Sequence, residues 1–299
     1  MKKSSVSKTG IDTTEYAEAT AQWQIAPIEA DFGITLLLDK HSDPIQKQCM
    51  VACVASLKKF FPDIPVAIIT DLKVKTKADY IMPQGIAIDS YWSNKKINQC
   101  TIYWLTPFKK TLYIDNDFIA TSKDNLDIYL LETLSAIKVP RNALSFRAKN
   151  LPYEYDVLKK NNITTLLPHS MVFERNNDTA LEFFNLWYMV CSNWQEFFPY
   201  IEKGVNFKHY DTVLSFSLTA HILGISNEML VNDYSYIHMN PLIEKTFRRI
   251  RNTEWSSFVN VWLSNDGLYV ENYKINHLFH YKDKRFIETH KKQIDEWIR

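Results

Sequence analysis

Two short apolar runs, each closed by an aspartate and separated by one amphipathic stretch of helical length, constrain this chain more than any other feature. Ile34-Thr35-Leu36-Leu37-Leu38 ends at Asp39, and Val66-Ala67-Ile68-Ile69 ends at Thr70-Asp71. Runs this short and apolar, bounded by polar clusters, read as buried strands. Between them Met50, Cys53, Val54, Leu57, Phe60 and Phe61 recur at helical spacing through residues 45 to 61, and Pro62 closes the segment. Strand, helix and strand within about forty residues form a βαβ unit, whose crossover sets the two strands parallel.

The pattern continues downstream. Apolar pieces stand at 80 to 82 and 86 to 88, the latter ending in Asp89. A helix is predicted over 92 to 105, and Thr111-Leu112-Tyr113-Ile114 is a further strand that stops at Asp115. Parallel strands that each deliver a polar residue to the carboxyl edge describe an open α/β sheet, with its ligand crevice outside those edges. Asp39, Thr70, Asp71, Asp89 and Asp115 are therefore expected on one rim.

Beyond residue 115 helical patterns cover 126 to 135, 179 to 198 and 211 to 223, and 164 to 173 has strand character. Residues 256 to 263 and 267 to 270 are aromatic-rich and alternating, and 284 to 299 reads as one amphipathic helix. No repeat and no Pro/Gly/Ser linker interrupts the chain, so its second half is expected to pack on its first as one body. Residues 1 to 30 are polar and aperiodic, a tail or irregular lead-in before order begins at Gly33. The expected domain is 31 to 299, in two halves, 31 to 120 and 121 to 299.

Composition narrows the function classes. With 46% hydrophobic residues the chain can bury a core, which excludes a disordered or low-complexity protein. A formal charge of +1 argues against general electrostatic binding to nucleic acid or anionic lipid. The basic cluster Lys245, Arg248, Arg249 and Arg251 reads as a solvated face. Cys49, Cys53, Cys100 and Cys191 lack zinc-knuckle spacing and disulfide density, so they are expected as small buried residues in a reducing compartment. The N-terminal lysines precede no apolar run, which speaks against a signal peptide, and no stretch approaches about 18 uninterrupted apolar residues. The expected location is cytoplasmic. Trp187, Trp194, Trp255 and Trp262 are expected mostly in the core.

Leu112-Tyr113-Ile114-Asp115-Asn116-Asp117 carries the most chemistry. A strand passes through the sheet and presents two carboxylates, Asp115 and Asp117, one residue apart at its edge. Such a pair suits a hard divalent cation that leaves positions open for phosphate oxygens. A metal there would neutralise a diphosphate leaving group, as glycosyl transfer from a nucleotide sugar requires.

The stretch from Thr106-Pro107 through Asp115-Asn116-Asp117-Phe118-Ile119 resembles the metal-binding segment of GT-A-fold glycosyltransferases, especially the glycogenin and bacterial galactosyltransferase group. Ser56-Leu57, Phe61-Pro62-Asp63 and the run from Val66 to Asp71 are similar to that family's first βαβ. The resemblance implies a Rossmann-like α/β domain, single and compact, with a mostly parallel central sheet and helices on both faces. It implies manganese or magnesium on Asp115 and Asp117, with a nucleoside diphosphate sugar as donor, most simply a UDP-sugar. It places Asp39, Thr70 and Asp71 near the nucleotide, with Lys95 or Lys96 as a nearby basic residue.

Leu166-Leu167-Pro168-His169-Ser170-Met171-Val172-Phe173 resembles the strand where the family usually carries Asn-Ser-Gly, a triplet replaced here. Asp211-Thr212-Val213-Leu214-Ser215 resembles the family's acidic residue facing the reacting sugar. Asp211 is equally suited to cap the helix that follows it. The segment from Ile275 to Lys284 resembles the C-terminal stretch that closes over the diphosphate, where the family commonly has a glycine and a different His to Lys interval. The resemblance implies His280 as the third metal ligand, with His277 as the alternative, and Lys284 on the phosphates. For inversion Asp211 is the candidate base; retention by a front-face route would need none. The acceptor is a glycan, a protein, a small molecule or a hydroxylated DNA base. Two other readings compete: a haloacid-dehalogenase-type phosphohydrolase using Asp115 and Asp117, and a non-catalytic nucleotide-sugar-binding relative.

Overall fold

The structure, a computed structural model, describes residues 25–39, 42–84, 97–125, 128–151, 155–197, 199, 201, 211–239, 255–264 and 266–297. The expected strand at 86 to 88 with Asp89, the residues Lys95 and Lys96, and the basic cluster from Lys245 to Arg251 lie outside them.

The strands in chain order are β1 (Ala30–Leu37), β2 (Val66–Ile69), β3 (Tyr80–Met82), β4 (Phe108–Ile114), β5 (Phe118–Ile119), β6 (Ile137–Pro140), β7 (Ala143–Leu144), β8 (Asn150–Leu151), β9 (Ser170–Glu174), β10 (Leu230–Val231), β11 (Tyr236–His238), β12 (Val261–Ser264), β13 (Gly267–Val270), β14 (Tyr273–Lys274) and β15 (Phe279–His280). The central sheet has seven strands in the order β10-β6-β9-β4-β1-β2-β3. β1 lies parallel to β2 and β4, β2 to β3, and β6 to β10, so the expected mixed α/β architecture with a mostly parallel sheet is present. β9 is the reversed strand: it runs antiparallel to both β4 and β6.

The first crossover follows from local chemistry. Asp43 caps the Pro44–Phe60 helix by accepting from the Gln46 N–H at 2.7 Å, while the Gln46 side chain accepts from the Asp43 N–H at 2.9 Å. This reciprocal capping box fixes where the helix leaves the rim. Cys49, Met50, Cys53, Val54 and Leu57 form its buried face. The Ser56 hydroxyl ties the helix to the segment after β4 by accepting from the Ala120 N–H at 3.1 Å.

The opposite face of the sheet is covered by the Asp178–Ser192 and Thr212–Ile222 helices, where Phe183, Phe184, Trp187 and Phe216 pack edge-on in one cluster. Three of the four tryptophans considered above are buried, and Trp262 is exposed. All four cysteines are free thiols and buried.

Several boundaries differ from the sequence reading. Order precedes Gly33: the Ala26 N–H bonds to the Trp104 carbonyl and the Glu29 N–H to the Pro107 carbonyl, which carries β1 back to Ala30. Only Ser170–Glu174 of the 164 to 173 run is strand. The long helix over 179 to 198 stops at Ser192, where the Asn193 side chain and N–H both return to the Met189 carbonyl, and restarts as Trp194–Phe197. The terminal helix likewise breaks at His290 into Arg285–Thr289 and Lys291–Trp297. Residues 97 to 105 form a 3-10 turn followed by one α turn, Ile102–Leu105.

A second sheet, β5-β15-β11-β7-β8, joins the halves of the chain. In it β15 pairs antiparallel with β5 and parallel with β11. Among the described residues no helix is long and apolar enough to cross a membrane.

Candidate functional site

A cleft of about 390 Å³ opens outside the carboxyl ends of β1 and β4. Asp39, Asp115, Asp117, Asp211, His280 and Lys284 all line it, together with Gln99, Tyr113, His169 and Lys282. These residues, from six separate stretches of chain, thus meet at the edge where an open α/β sheet carries its ligands.

Each carboxylate is held by named donors. Asp115 Oδ1 accepts from the Tyr113 hydroxyl and from Gln99 Nε2, both at 2.8 Å, and Oδ2 lies 2.9 Å from His169 Nδ1. Burial and the neighbouring Asp115 carboxylate push the Tyr113 hydroxyl well above its ordinary pKa, so it stays a donor. Asp117 Oδ1 lies 3.1 Å from His280 Nε2. Burial opposes the charge on Asp117. His280, through charge and hydrogen bond, and then Lys284 and His169 outweigh that opposition and hold the carboxyl well below the usual carboxylate range.

The pairing of short strands explains why these groups meet. His280 stands opposite Phe118 across the β5–β15 ladder, and its ring stacks on the Phe118 ring at 4.5 Å. The Tyr281 N–H bonds to the Asp117 carbonyl at 3.1 Å. On the other side His238 stands opposite His280 in register, with the two Nδ1 atoms 2.9 Å apart. Burial, then the neighbouring His280, His169 and Lys282, push His238 well below the ordinary histidine pKa, so it is neutral beside His280. Such a contact at Nδ1 fixes the ring plane of His280 and leaves Nε2 toward Asp117.

The closing segment is pinned from beneath. The Trp255 indole donates to the Tyr281 carbonyl at 2.6 Å, and Asp283 Oδ2 accepts from the Ser256 N–H and hydroxyl at 3.1 and 2.7 Å. Lys282 takes a left-handed φ of 58°, the region that favours glycine, as the chain turns between His280 and Lys284. His277 does not line the cleft; its carbonyl accepts from the Thr121 hydroxyl.

Asp211 does both things its sequence allows. Its Oδ1 accepts from the Leu214 N–H at 3.0 Å as the cap of the Thr212–Ile222 helix, and Oδ2 accepts from the Tyr155 hydroxyl at 3.4 Å at the cleft wall. Thr70 and Asp71 follow β2 on the same edge but are not among the cleft-lining residues. Thr70 Oγ1 accepts from the Leu72 N–H and Asp71 Oδ1 from the Gln84 N–H, which shapes the turns beside β3.

His169 is the functional candidate that sequence reasoning missed. It precedes β9, and only the reversal of that strand brings it beside Asp115. The Asp115 N–H also bonds to the His169 carbonyl at 3.0 Å. One ligating atom each from Asp115, His169 and His280 lies within 4.8 Å of the other two. Carboxylate oxygen and imidazole nitrogen are donors a divalent ion accepts, so the residues present fit a metal.

Among solved structures, the chain is similar to the WbbM bifunctional glycosyltransferase, with 10% identity, a TM-score of 0.39 and coverage of 72% of this chain and 39% of that one. It is similar to the galactosyltransferase LgtC, solved with donor and acceptor sugar analogs, at 11% identity and a TM-score of 0.39, covering 68% and 73%. It is also similar to mouse xyloside xylosyltransferase 1, at 13% identity and a TM-score of 0.39, covering 68% and 84%. The chain therefore spans well under half of the first of these. No protein-family model matches the sequence, and no curated protein does.

Proposed function

We propose that the protein is a metal-dependent glycosyltransferase of the GT-A type, moving a sugar from a nucleoside diphosphate sugar to an acceptor hydroxyl. The observation that carries this reading is the convergence of Asp115, Asp117, His280 and Lys284 on one cleft at the carboxyl edge of the sheet. A divalent ion held by Asp115, Asp117 and His280 would neutralise the diphosphate as it leaves.

The chain's own residues supply the rest. Lys284 lies where its ammonium can offset phosphate charge, and Lys282 adds a second cation to the same wall. Asp39, at the end of β1, is the candidate for nucleotide contact. Asp211 is the candidate base for an inverting reaction, and the Tyr155 hydroxyl orients its Oδ2. The three contacts on Asp115 fix the orientation of its carboxylate, which favours a ligating role over the attacking role that a phosphohydrolase would give it.

Thermal stability tests the reading. Wild type and the Asp115→Ala, Asp117→Ala double variant are melted with nucleoside diphosphates and nucleotide sugars, starting with UDP-sugars, each with manganese and with chelator. A metal-dependent rise for one nucleotide class, lost in the double variant, is expected. No rise with any nucleotide overturns the donor site.

A further inference from the structure

We propose that His169 is an additional metal ligand, so that this edge binds a borderline transition ion through two imidazoles and carboxylate before any nucleotide arrives. The inference takes from the transferase reading only the assignment of this edge to a metal.

Two carboxylates alone make an oxygen site, suited to magnesium or manganese and completed by substrate phosphates. The arrangement around Asp115 is different. His169 and His280 each bring a ring nitrogen within 4.8 Å of the Asp115 oxygen and of one another, and their rings lie 4.8 Å apart. Imidazole donors move selectivity toward zinc and away from magnesium.

Two further observations point to a ligand. His169 Nε2 is buried and has no hydrogen-bond partner among the described residues, a state that costs free energy unless something fills it. The other ring nitrogen lies 2.9 Å from Asp115 Oδ2, which fixes the plane of the ring. His280 is oriented in the same sense by His238. Both rings are fixed in advance, so an ion would meet a preformed site without a diphosphate to complete it.

Calorimetric titration of the chelator-stripped full chain with zinc, manganese and magnesium, without nucleotide, tests this. Wild type is expected to bind one zinc ion at least about 100-fold more tightly than magnesium, and His169→Asn to lose about 10- to 100-fold in zinc affinity. The visible spectrum of bound cobalt should change in His169→Asn, because a nitrogen ligand has gone. Unchanged zinc affinity and an unchanged cobalt spectrum in that variant overturn the proposal, as does equal affinity for zinc and magnesium in wild type. If His169→Asn melts early in chelator, pulsed EPR of manganese-loaded wild type counts the directly bound nitrogens: two support the proposal and one overturns it. Zinc binding as expected with no nucleotide response would sink the transferase reading and leave the metal site standing. A nucleotide response that needs manganese, with no ion bound in its absence, would do the reverse.

Discussion

Asp115 and His169, 54 positions apart in sequence, face each other at 2.9 Å because β4 ends where β9 begins. Ile114 pairs with Ser170 across that antiparallel ladder, so the residue leaving one strand meets the residue entering the other. Tyr113 and Gln99 then hold the far oxygen of the same carboxylate.

This arrangement makes Tyr113→Phe informative. The substitution keeps the buried ring and removes two hydrogen bonds, the one donated to the Asp115 carboxylate, worth about 1.5–3 kcal/mol, and the one accepted from Gln99 Nε2. We expect urea denaturation to show a loss of that order, with weaker metal binding because Asp115 is less firmly aimed. Wild-type stability and metal affinity together would show that the hydroxyl does not hold Asp115.

The parts of the site written in contiguous sequence were legible there. A strand followed at once by Asp-x-Asp puts Asp115 and Asp117 at a sheet edge whatever the rest of the chain does, and the βαβ spacing puts Asp39 on the same rim. His169 was not legible for a physical reason. An apolar run reports that a strand is buried but not its direction, and a parallel β9 would have carried His169 to the opposite edge. Thr70 and Asp71 illustrate the converse. Their position after β2 was foreseen, but the bonds to Leu72 and Gln84 that turn them to local work depend on a loop partner with no periodic signal. The breaks at Asn193 and His290 escaped because each side chain fits an amphipathic pattern that simply continues.

Asp283 is expected to matter although it does not line the cleft. It is 1% exposed, and its carboxylate receives the Ser256 N–H and hydroxyl and the Arg285 N–H, which anchors the turn carrying His280 and Lys284. Asp283→Ala leaves those donors unsatisfied and should cost about 1–3 kcal/mol for each buried group stranded. A lower melting temperature together with weaker metal-dependent nucleotide binding is the expected pair of results. Lowered stability with unchanged nucleotide binding would mean that the turn keeps its shape without the anchor.

Gly33 is needed for space. A Cβ built there would stand 2.5 Å from the ring of Phe108, which is fully buried across the β1–β4 ladder. Gly33→Ala should therefore destabilise by about 1–3 kcal/mol, the cost of overpacking a filled core. Gly33→Ala combined with Phe108→Leu should recover part of the loss, and strict additivity in urea denaturation would refute the steric account.

The cysteines give a readout of folding without a mutation. Burial pushes the Cys49 thiol up to about 12, and Cys53 and Cys100 are raised by burial as well. Alkylation proceeds through the thiolate, so native protein near neutral pH should resist iodoacetamide, and mass spectrometry should find all four modified only in denaturant. Rapid modification of Cys49 in the native protein would contradict the packing of the Pro44–Phe60 helix.

His290 links the C-terminal break to pH. Burial, only partly countered by its hydrogen bond to the Gln293 side chain, holds its pKa below the ordinary histidine value of 6.5, and its ring packs on Phe286 at 5.1 Å. Above the unfolded pKa both states are neutral and the full stability is present. As pH falls through that value the unfolded chain takes up a proton that the folded chain resists, so stability is lost until the folded pKa is passed. His169, His238 and His277 shift in the same direction, so wild type alone cannot assign the slope. The difference between wild type and His290→Gln can. Melting temperatures followed from about pH 7.5 to pH 5 should fall less steeply for the variant. Parallel curves would mean that the histidine at the helix break is protonated as readily in the folded chain as in the unfolded one.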